Sequence, residues 1–371
     1  MFLSYLHLTN FRSYENLELE LKPGITSFVG SNGEGKTNIV EAVGFLAYLR
    51  SHRTASDNPL VRLEHEKAYI RGKVDTAGRQ ELLEIEINQG RANRARINQQ
   101  PVRSTRELLG HLRAVLFTPE DLALVKGDPT ERRDFLDTLL ISRTPRYAGV
   151  IADYEKALKQ RNALLKNRPH ERDLAPWDEH IARYGSQLIA ARLDLIEDLL
   201  PFVIQAYKSI SEGDEIGATY KSSQDLRSKS AAELEREIFE LIPTLRRGEM
   251  ERGVTLVGPH RDDLILTLGP TPVKGYASQG ESWSYALALR MGAYQLLSAE
   301  GMGEGSEPLL ILDDVFAELD SVRRGALLAL IDSSEQVLVT AAVEADLPKS
   351  FNDRRFYVRE GSVREWVRIE T

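Results

Sequence analysis

Apolar and polar positions alternate along roughly the first hundred residues. In "ENLELEL" (residues 15–21) Leu17, Leu19 and Leu21 fall on one face and glutamates on the other, the period-two pattern of a half-buried strand. Residues 25–29 read as a short buried strand. Residues 38–49 then turn helical, with Ile39, Val43, Leu46 and Leu49 at helical spacing. "AYIRGKV", "ELLEIEIN" and "NRARIN" (68–74, 81–88 and 93–98) predict antiparallel strands joined by turns.

The middle of the chain changes period. Tyr147, Ile151, Tyr154, Leu158 and Leu165 form one stripe; Trp177, Ile181, Tyr184, Leu188, Ala191, Leu195, Leu199, Phe202 and Ala206 form another. The breaker "NRPHERDLAP" separates them, so two amphipathic helices should pack antiparallel, like a short coiled-coil arm. Pro201 should kink or end the second. "AAELEREIFELI" adds a third helical stretch.

From Gly253 strand patterning resumes. Leu264, Leu266 and Leu268 alternate, a helix follows Gly280, and "PLLILDD" and "QVLVT" are apolar runs of the kind buried in parallel sheets. "RRFYVREGSVREWVRIE" reads as a closing hairpin turned at Glu360 and Gly361. The implied architecture is an α/β lobe assembled from both chain ends, residues 1–117 and 248–371, with a helical lobe of residues 118–247 inserted between them.

At 371 residues, two lobes are the size expectation. The chain has no cysteine, which excludes disulfides, thiolate catalysis and cysteine-ligated metal centres; histidine or carboxylate metal sites stay open. The first residues lack a basic-then-apolar leader, and no apolar run approaches the ~20 residues of a membrane span. A cytoplasmic protein with no membrane partner is expected.

Net charge is −8, which argues weakly against a chain that coats nucleic acid over its whole surface; local patches decide binding. Two basic runs stand out. Residues 91–106, "RANRARINQQPVRSTR", hold arginines and no acid. Residues 156–172 carry Lys156, Lys159, Arg161, Lys166, Arg168 and Arg172 against Glu171. Either is a solvated face or an anion-binding surface, and Lys159, Arg161 and Lys166 are the candidates for nucleic-acid contact, DNA if the resemblance given below holds.

The sharpest chemical signal is Gly30-Ser31-Asn32-Gly33-Glu34-Gly35-Lys36-Thr37 between a strand and a helix. It matches G-x-x-x-x-G-K-[ST]. Glycines let backbone N–H groups wrap a phosphate, and a helix N-terminus favours negative charge. Lys36 would reach the β- and γ-phosphates of ATP, and the Thr37 hydroxyl would ligate Mg²⁺. "PLLILDDVFAELD" supplies the second half: Asp313 and Asp314 stand at a buried strand's tip, placed to hold Mg²⁺ and to take a proton from the attacking water. A plain helix cap is the alternative for that pair. In "YASQGESW", Ser278 caps a helix and Gly280 permits close backbone approach, so Ser278, Gln279 and Gly280 form either a second phosphate-binding helix start or an ordinary cap.

These segments, in this order, resemble the ATP-binding-cassette ATPases. More closely, the chain resembles the RecF family of bacterial recombinational repair proteins, relatives of the SMC heads. The resemblance runs through "NFRSY", "GSNGEGKT", "SHR", "TPEDLALVKGDPTERRDFLD", "LKQRNALLK", "GPHRDDL", "YASQGE" and "LLILDDVFAELD", of which "KQRNALL" and "GPHRDD" are the narrowest. It implies an ABC/SMC-head-type α/β fold, a weak DNA-associated ATPase and an ATP-dependent homodimer. It further implies binding to gapped or duplex DNA and its single-strand/double-strand junctions, and cooperation with RecO, RecR and RecA.

By the same resemblance Ser278 and its neighbours reach the γ-phosphate on the opposite subunit, residues 317–320 form a loop at the subunit contact, and Arg12 approaches bound nucleotide. Two departures bear on this. Glu281 replaces a common glutamine, placing a negative charge near a phosphate. Thr340, Ala341 and Ala342 stand where cassette transporters carry a histidine; RecF relatives also tend to lack that histidine, so its absence agrees with the resemblance. A transporter ATPase subunit, or another SMC-like chromosomal ATPase, is the competing assignment; no Asn-Lys-x-Asp motif supports a GTPase.

Overall fold

The computed structural model describes residues 1–366 apart from 168, 212–214, 227, 302–305 and 352–353. Arg168 of the second basic run and the last residues of the closing segment therefore lie outside the described residues. In chain order, strands β1 (Phe2–Phe11), β2 (Tyr14–Glu20) and β3 (Gly24–Val29) lead into α1 (Lys36–Tyr48). Then come β4 (Lys67–Thr76), β5 (Arg79–Asn88), β6 (Arg94–Ile97), β7 (Gln100–Pro101) and β8 (Ala114–Phe117). Helices α2 (Leu122–Lys126), α3 (Pro129–Arg143), α4 (Tyr147–Leu165) and α5 (Glu171–Ile210) follow, then β9 (Ile216–Lys221) and α6 (Ala231–Arg252). The chain continues with β10 (Asp263–Leu268), β11 (Thr271–Pro272), α7 (Gln279–Ala299), β12 (Leu309–Asp313) and α8 (Ser321–Asp332). It closes with β13 (Gln336–Ala341), β14 (Arg354–Arg359) and β15 (Ser362–Glu365).

The chain divides into two compact units. The first comprises residues 1–121, 209–211 and 287–371. It holds an antiparallel sheet in the order β2-β1-β4-β5-β6-β7 and a second sheet in the order β15-β14-β3-β13-β12-β8, parallel from β14 to β8. Helix α1 packs against strands of both sheets, and residues 39–47 are all buried. Apart from Glu41 the stretch is apolar on every face, as a helix inside a core is. Phe11, Phe28, Val43, Leu46, Ile85, Ile311 and Leu338 share one hydrophobic cluster with it.

The second unit comprises residues 122–208 and 212–286. It ends later than the expected 247, because β10 pairs with β9 in a separate three-stranded sheet, and Arg132 on α3 grips Asp263 on β10 through two bonds of 2.7 and 2.9 Å. Helix α5 does not end at Pro201 but runs on to Ile210. Leu199, Val203, Ala206 and Tyr207 stay buried across the proline, so packing overrides local propensity.

Arg161, one of the three candidates for DNA contact, is turned away from the surface. It lies on the inward face of α4, fully buried, where the lysines beside it are exposed. Its guanidinium donates to Asp178 (2.8 Å), to both Glu249 oxygens (3.0 and 2.7 Å) and to Thr255 Oγ1 (2.8 Å). Next to it, Asn162 Oδ1 accepts from the N–H and the hydroxyl of Thr255. The "KQRN" motif is thus a brace between α4 and the segment ahead of β10. His260 belongs to the same layer. Tyr154 donates to its Nδ1 (2.6 Å), its Nε2 faces the Thr255 carbonyl (3.3 Å), and burial pushes its pKa down to about 4.

Two outcomes follow. Arg161→Ala removes the main partner of buried Glu249 and leaves Asp178 to Arg246 alone, and should cost about 3–5 kcal/mol, read as a drop in the urea midpoint. His260 stays neutral in the folded chain while the unfolded chain takes up a proton below pH ~6.5. Stability should therefore fall as pH drops from about 6.5 towards 4, and His260→Gln should lack that component in urea midpoints measured across the range.

Candidate functional site

The glycine-rich loop is held from outside as well as by its own sequence. The Gly30 N–H donates to the Ala341 carbonyl (3.2 Å), joining the end of β3 to the end of β13. A side chain on Gly30 would run into the Val358 carbonyl of β14. Gly35 has φ +112°, and a Cβ there would meet Ser13 Oγ and Tyr14 Oη at 2.8 and 2.9 Å; only glycine fits. Glu34 is tied to the β14–β15 turn: the Glu360 N–H donates to its carboxylate and the Gly361 N–H to its carbonyl (3.4 Å). Ser31, Asn32 and Gly33 form the exposed crest. Lys36 is only 3% exposed and its ammonium donates to the Ser31 carbonyl (3.2 Å), folded along the loop where a phosphate would lie.

Asp313 gathers the rest. Its Oδ1 accepts from Thr37 Oγ1 (3.1 Å) at the start of α1 and from Thr340 Oγ1 (2.6 Å) at the end of β13. Thr340 sits opposite Asp313 in the β12–β13 register and also accepts from the Asp314 N–H (2.9 Å). Asp314 has φ +51°, a conformation uncommon outside glycine, which turns the chain sharply at the strand tip. Burial raises the Asp314 pKa; Lys36 pulls it down and Asp313 pushes it up. Its Oδ1 is buried without a hydrogen-bond partner among the described residues. A carboxyl that resists ionisation beside a lysine is suited to proton transfer.

These donors fit Mg²⁺. The Thr37 hydroxyl and the Asp313 carboxylate are hard oxygens converging beside the loop, and an unsatisfied buried nitrogen, His52 Nε2, lies 3.8 Å from Asp313 Oδ2. Among the described residues no group of three or more His, Asp or Glu could hold a metal alone. Mg²⁺ needs none, since it takes one or two protein oxygens with waters and phosphates.

A cavity of about 620 Å³ opens over the loop, lined by Arg12, Asn32, Lys36, Thr37, Leu63 and Asp314 among others. Arg12 edges this cavity, with its guanidinium held by the fully buried Glu41 (2.8 and 2.6 Å) and the Pro59 carbonyl (3.0 Å). Ser51 Oγ donates to the same carboxylate (2.5 Å). A larger hollow, about 740 Å³, lies on the antiparallel sheet and is lined by Arg71, Arg94, Arg96 and Arg103, so part of the 91–106 basic run walls a concave surface.

Ser278, Gln279 and Gly280 stand in the second unit at the start of α7. Ser278 Oγ accepts from the Glu281 N–H (3.2 Å), and the Ser278 N–H donates to the Glu281 carboxylate (2.7 Å). That is a capping box, and it settles where the Glu281 charge goes: the carboxylate folds back onto its own helix start, which holds its pKa down. Lys126 donates to Gln279 Oε1. Lys159 and Lys166 are exposed on and just past α4.

Three residues escaped the sequence reading. Thr340 was visible only as the absence of a histidine, Glu41 as one more polar position in a helix, and His52 as part of "SHR" with no assigned role. Each acts across a long sequence separation or a buried face that periodicity does not report.

The family model for the RecF/RecN/SMC N-terminal domain matches residues 2–361. The DNA replication and repair protein RecF of Streptomyces avermitilis is 52% identical, covering 98% of this chain and 99% of that one. RecF of Arthrobacter sp. strain FB24 is 48% identical over the same shares. A solved structure of the recombination mediator protein RecF-ATP in the RecFOR pathway superposes with TM-score 0.88 at 28% identity, covering 98% and 99% of the two chains. An Smc head bound to the C-terminal winged-helix domain of ScpA superposes at 0.56 with 14% identity, over 99% and 97% of the two chains, a likeness of fold alone. The α/β fold is therefore of the SMC-head type.

Thr340→Val deletes a donor to Asp313 and strands the Asp314 N–H. It should lower stability by about 1–3 kcal/mol, and Thr340→Ser should restore most of it, read from paired denaturant midpoints.

Proposed function

The chain belongs to the RecF family within the RecF/RecN/SMC proteins, and on that premise we propose that it is an ATP-dependent DNA-binding protein of recombinational repair with weak ATPase activity. The observation that carries this reading is the meeting of Thr37, Asp313 and Thr340 beside a glycine-built loop. The loop N–H groups and Lys36 bind the phosphates of ATP. Mg²⁺, held by Thr37 and through Asp313, supplies charge neutralisation to them. Asp314 takes the proton of the attacking water.

ATP then serves chiefly as a clamp. Ser278, Gln279 and Gly280 at the capped start of α7 offer backbone N–H groups to the γ-phosphate held by a second copy, so two nucleotides close a homodimer. The closed dimer presents a joint basic surface to gapped or duplex DNA, with Lys159 and Lys166 as candidate contacts, and slow hydrolysis reopens it. RecO and RecR are partners on the strength of the RecFOR pathway named for the solved relatives; RecA loading follows from the family resemblance. No helix among the described residues is long and apolar enough to cross a membrane, and a cytoplasmic, nucleoid-associated place suits the role.

Gel shifts test the clamp. DNA affinity should be higher with ATP or a nonhydrolysable analogue than with ADP, and should fall on a log–log salt plot by about −0.9 per phosphate contact. Equal affinity in every nucleotide state would count against it. Ser278→Arg separates a composite site from a mere cap. Truncating a cap costs about 1 kcal/mol and leaves ATP chemistry intact. In the dimer, the arginine enters the closed interface, so this variant should bind ATP as a monomer, fail to dimerise in light scattering and lose most hydrolysis. Normal ATP-driven dimerisation of Ser278→Arg would refute the shared site.

A further inference from the structure

The connection after α1 carries a histidine whose surroundings are built for it. Ser51 Oγ donates to buried Glu41 and accepts from the N–H groups of Arg53 (3.0 Å) and Thr54 (3.1 Å). Arg53 donates to Asn38 Oδ1 on α1 (3.1 Å). His52 lies between these two anchored residues. Its Nε2 lies 3.8 Å from Asp313 Oδ2, and that nitrogen is buried without a hydrogen-bond partner among the described residues. The other carboxylate oxygen, Oδ1, already accepts from two threonine hydroxyls. Oδ2 is thus the oxygen left to accept from water in a cation's shell, and His52 is the side chain that faces it.

We propose that His52 is a positioning residue for the Mg²⁺ site: it fixes Asp313 Oδ2, the role a partner of a ligating carboxylate plays. Two groups orient the carboxylate from opposite sides, Thr340 on Oδ1 and His52 on Oδ2. At 3.8 Å the pair is short of hydrogen-bonding distance; a small approach of Nε2 to Oδ2 in the Mg²⁺- and ATP-bound chain would complete the bond and give the stranded nitrogen a partner. This rests on the phosphate-loop reading above.

The test is a titration of a fluorescent ATP analogue into the full chain at fixed Mg²⁺ concentrations and in EDTA. His52→Ala should raise the Mg²⁺ needed for half-maximal binding by about tenfold while leaving binding in EDTA unchanged. His52→Leu, which keeps bulk but no nitrogen, should match it, and His52→Gln, which offers an amide N–H, should recover part of the loss. In an Asp313→Asn background His52→Ala should add nothing. An unchanged Mg²⁺ requirement in both His52→Ala and His52→Leu would overturn the proposal alone, as would an equal loss in the Asp313→Asn background. A wild-type chain that binds no nucleotide would overturn the phosphate-loop reading, and this proposal with it.

Discussion

One carboxylate oxygen joins the two ends of this chain. Asp313 Oδ1 takes a hydroxyl from Thr37, near the N-terminus, and another from Thr340, near the C-terminus. That meeting requires three strands in one register: β3 beside β13, and β13 beside β12 with Asp313 opposite Thr340. A slip of one residue would turn every side chain of a strand to the opposite face. It would take Thr340 from Asp313 and Ala341 from the Gly30 N–H together. The fully buried β12 and β13 resist such a slip, so core packing sets the site's geometry.

The second unit is organised by buried charge. Arg161, Arg192 and Arg132 each reach carboxylates far along the chain: Asp178 and Glu249, Asp137, and Asp263. Such pairs add little net stability against apolar replacements but penalise every alternative arrangement that leaves one charge alone. The narrow motifs "KQRN" and "GPHRDD" are largely these braces. Arg192 donates to the Pro259 carbonyl, and Asp262 accepts from the Tyr220 hydroxyl and the Ser223 N–H.

Local chemistry was legible from the residues. The glycine loop, the Asp313–Asp314 strand tip, the antiparallel strands and the amphipathic helices each carry their signal within a short window. What stayed hidden depends on partners. Arg161 reads as one more cation in a basic run, because nothing nearby in sequence reveals Asp178 and Glu249 beneath it. Residues 248–286 read as part of the ATPase lobe, because alternation in β10 does not say which strand it joins. Pro201 reads as a kink or an end of the helix, because propensity ignores the buried stripe that carries α5 past it. The role of Thr340 exists only across a sheet.

The central claim is that this loop and this carboxylate hold Mg²⁺ and ATP. The direct measurement is equilibrium binding of a fluorescent ATP analogue to the wild type and to Lys36→Ala, with folding of both checked by circular dichroism. Losing a charge-assisted bond of about 1.5–3 kcal/mol should weaken binding by roughly ten- to a hundredfold, with the fold unchanged. Undiminished binding by a folded Lys36→Ala chain would contradict the account.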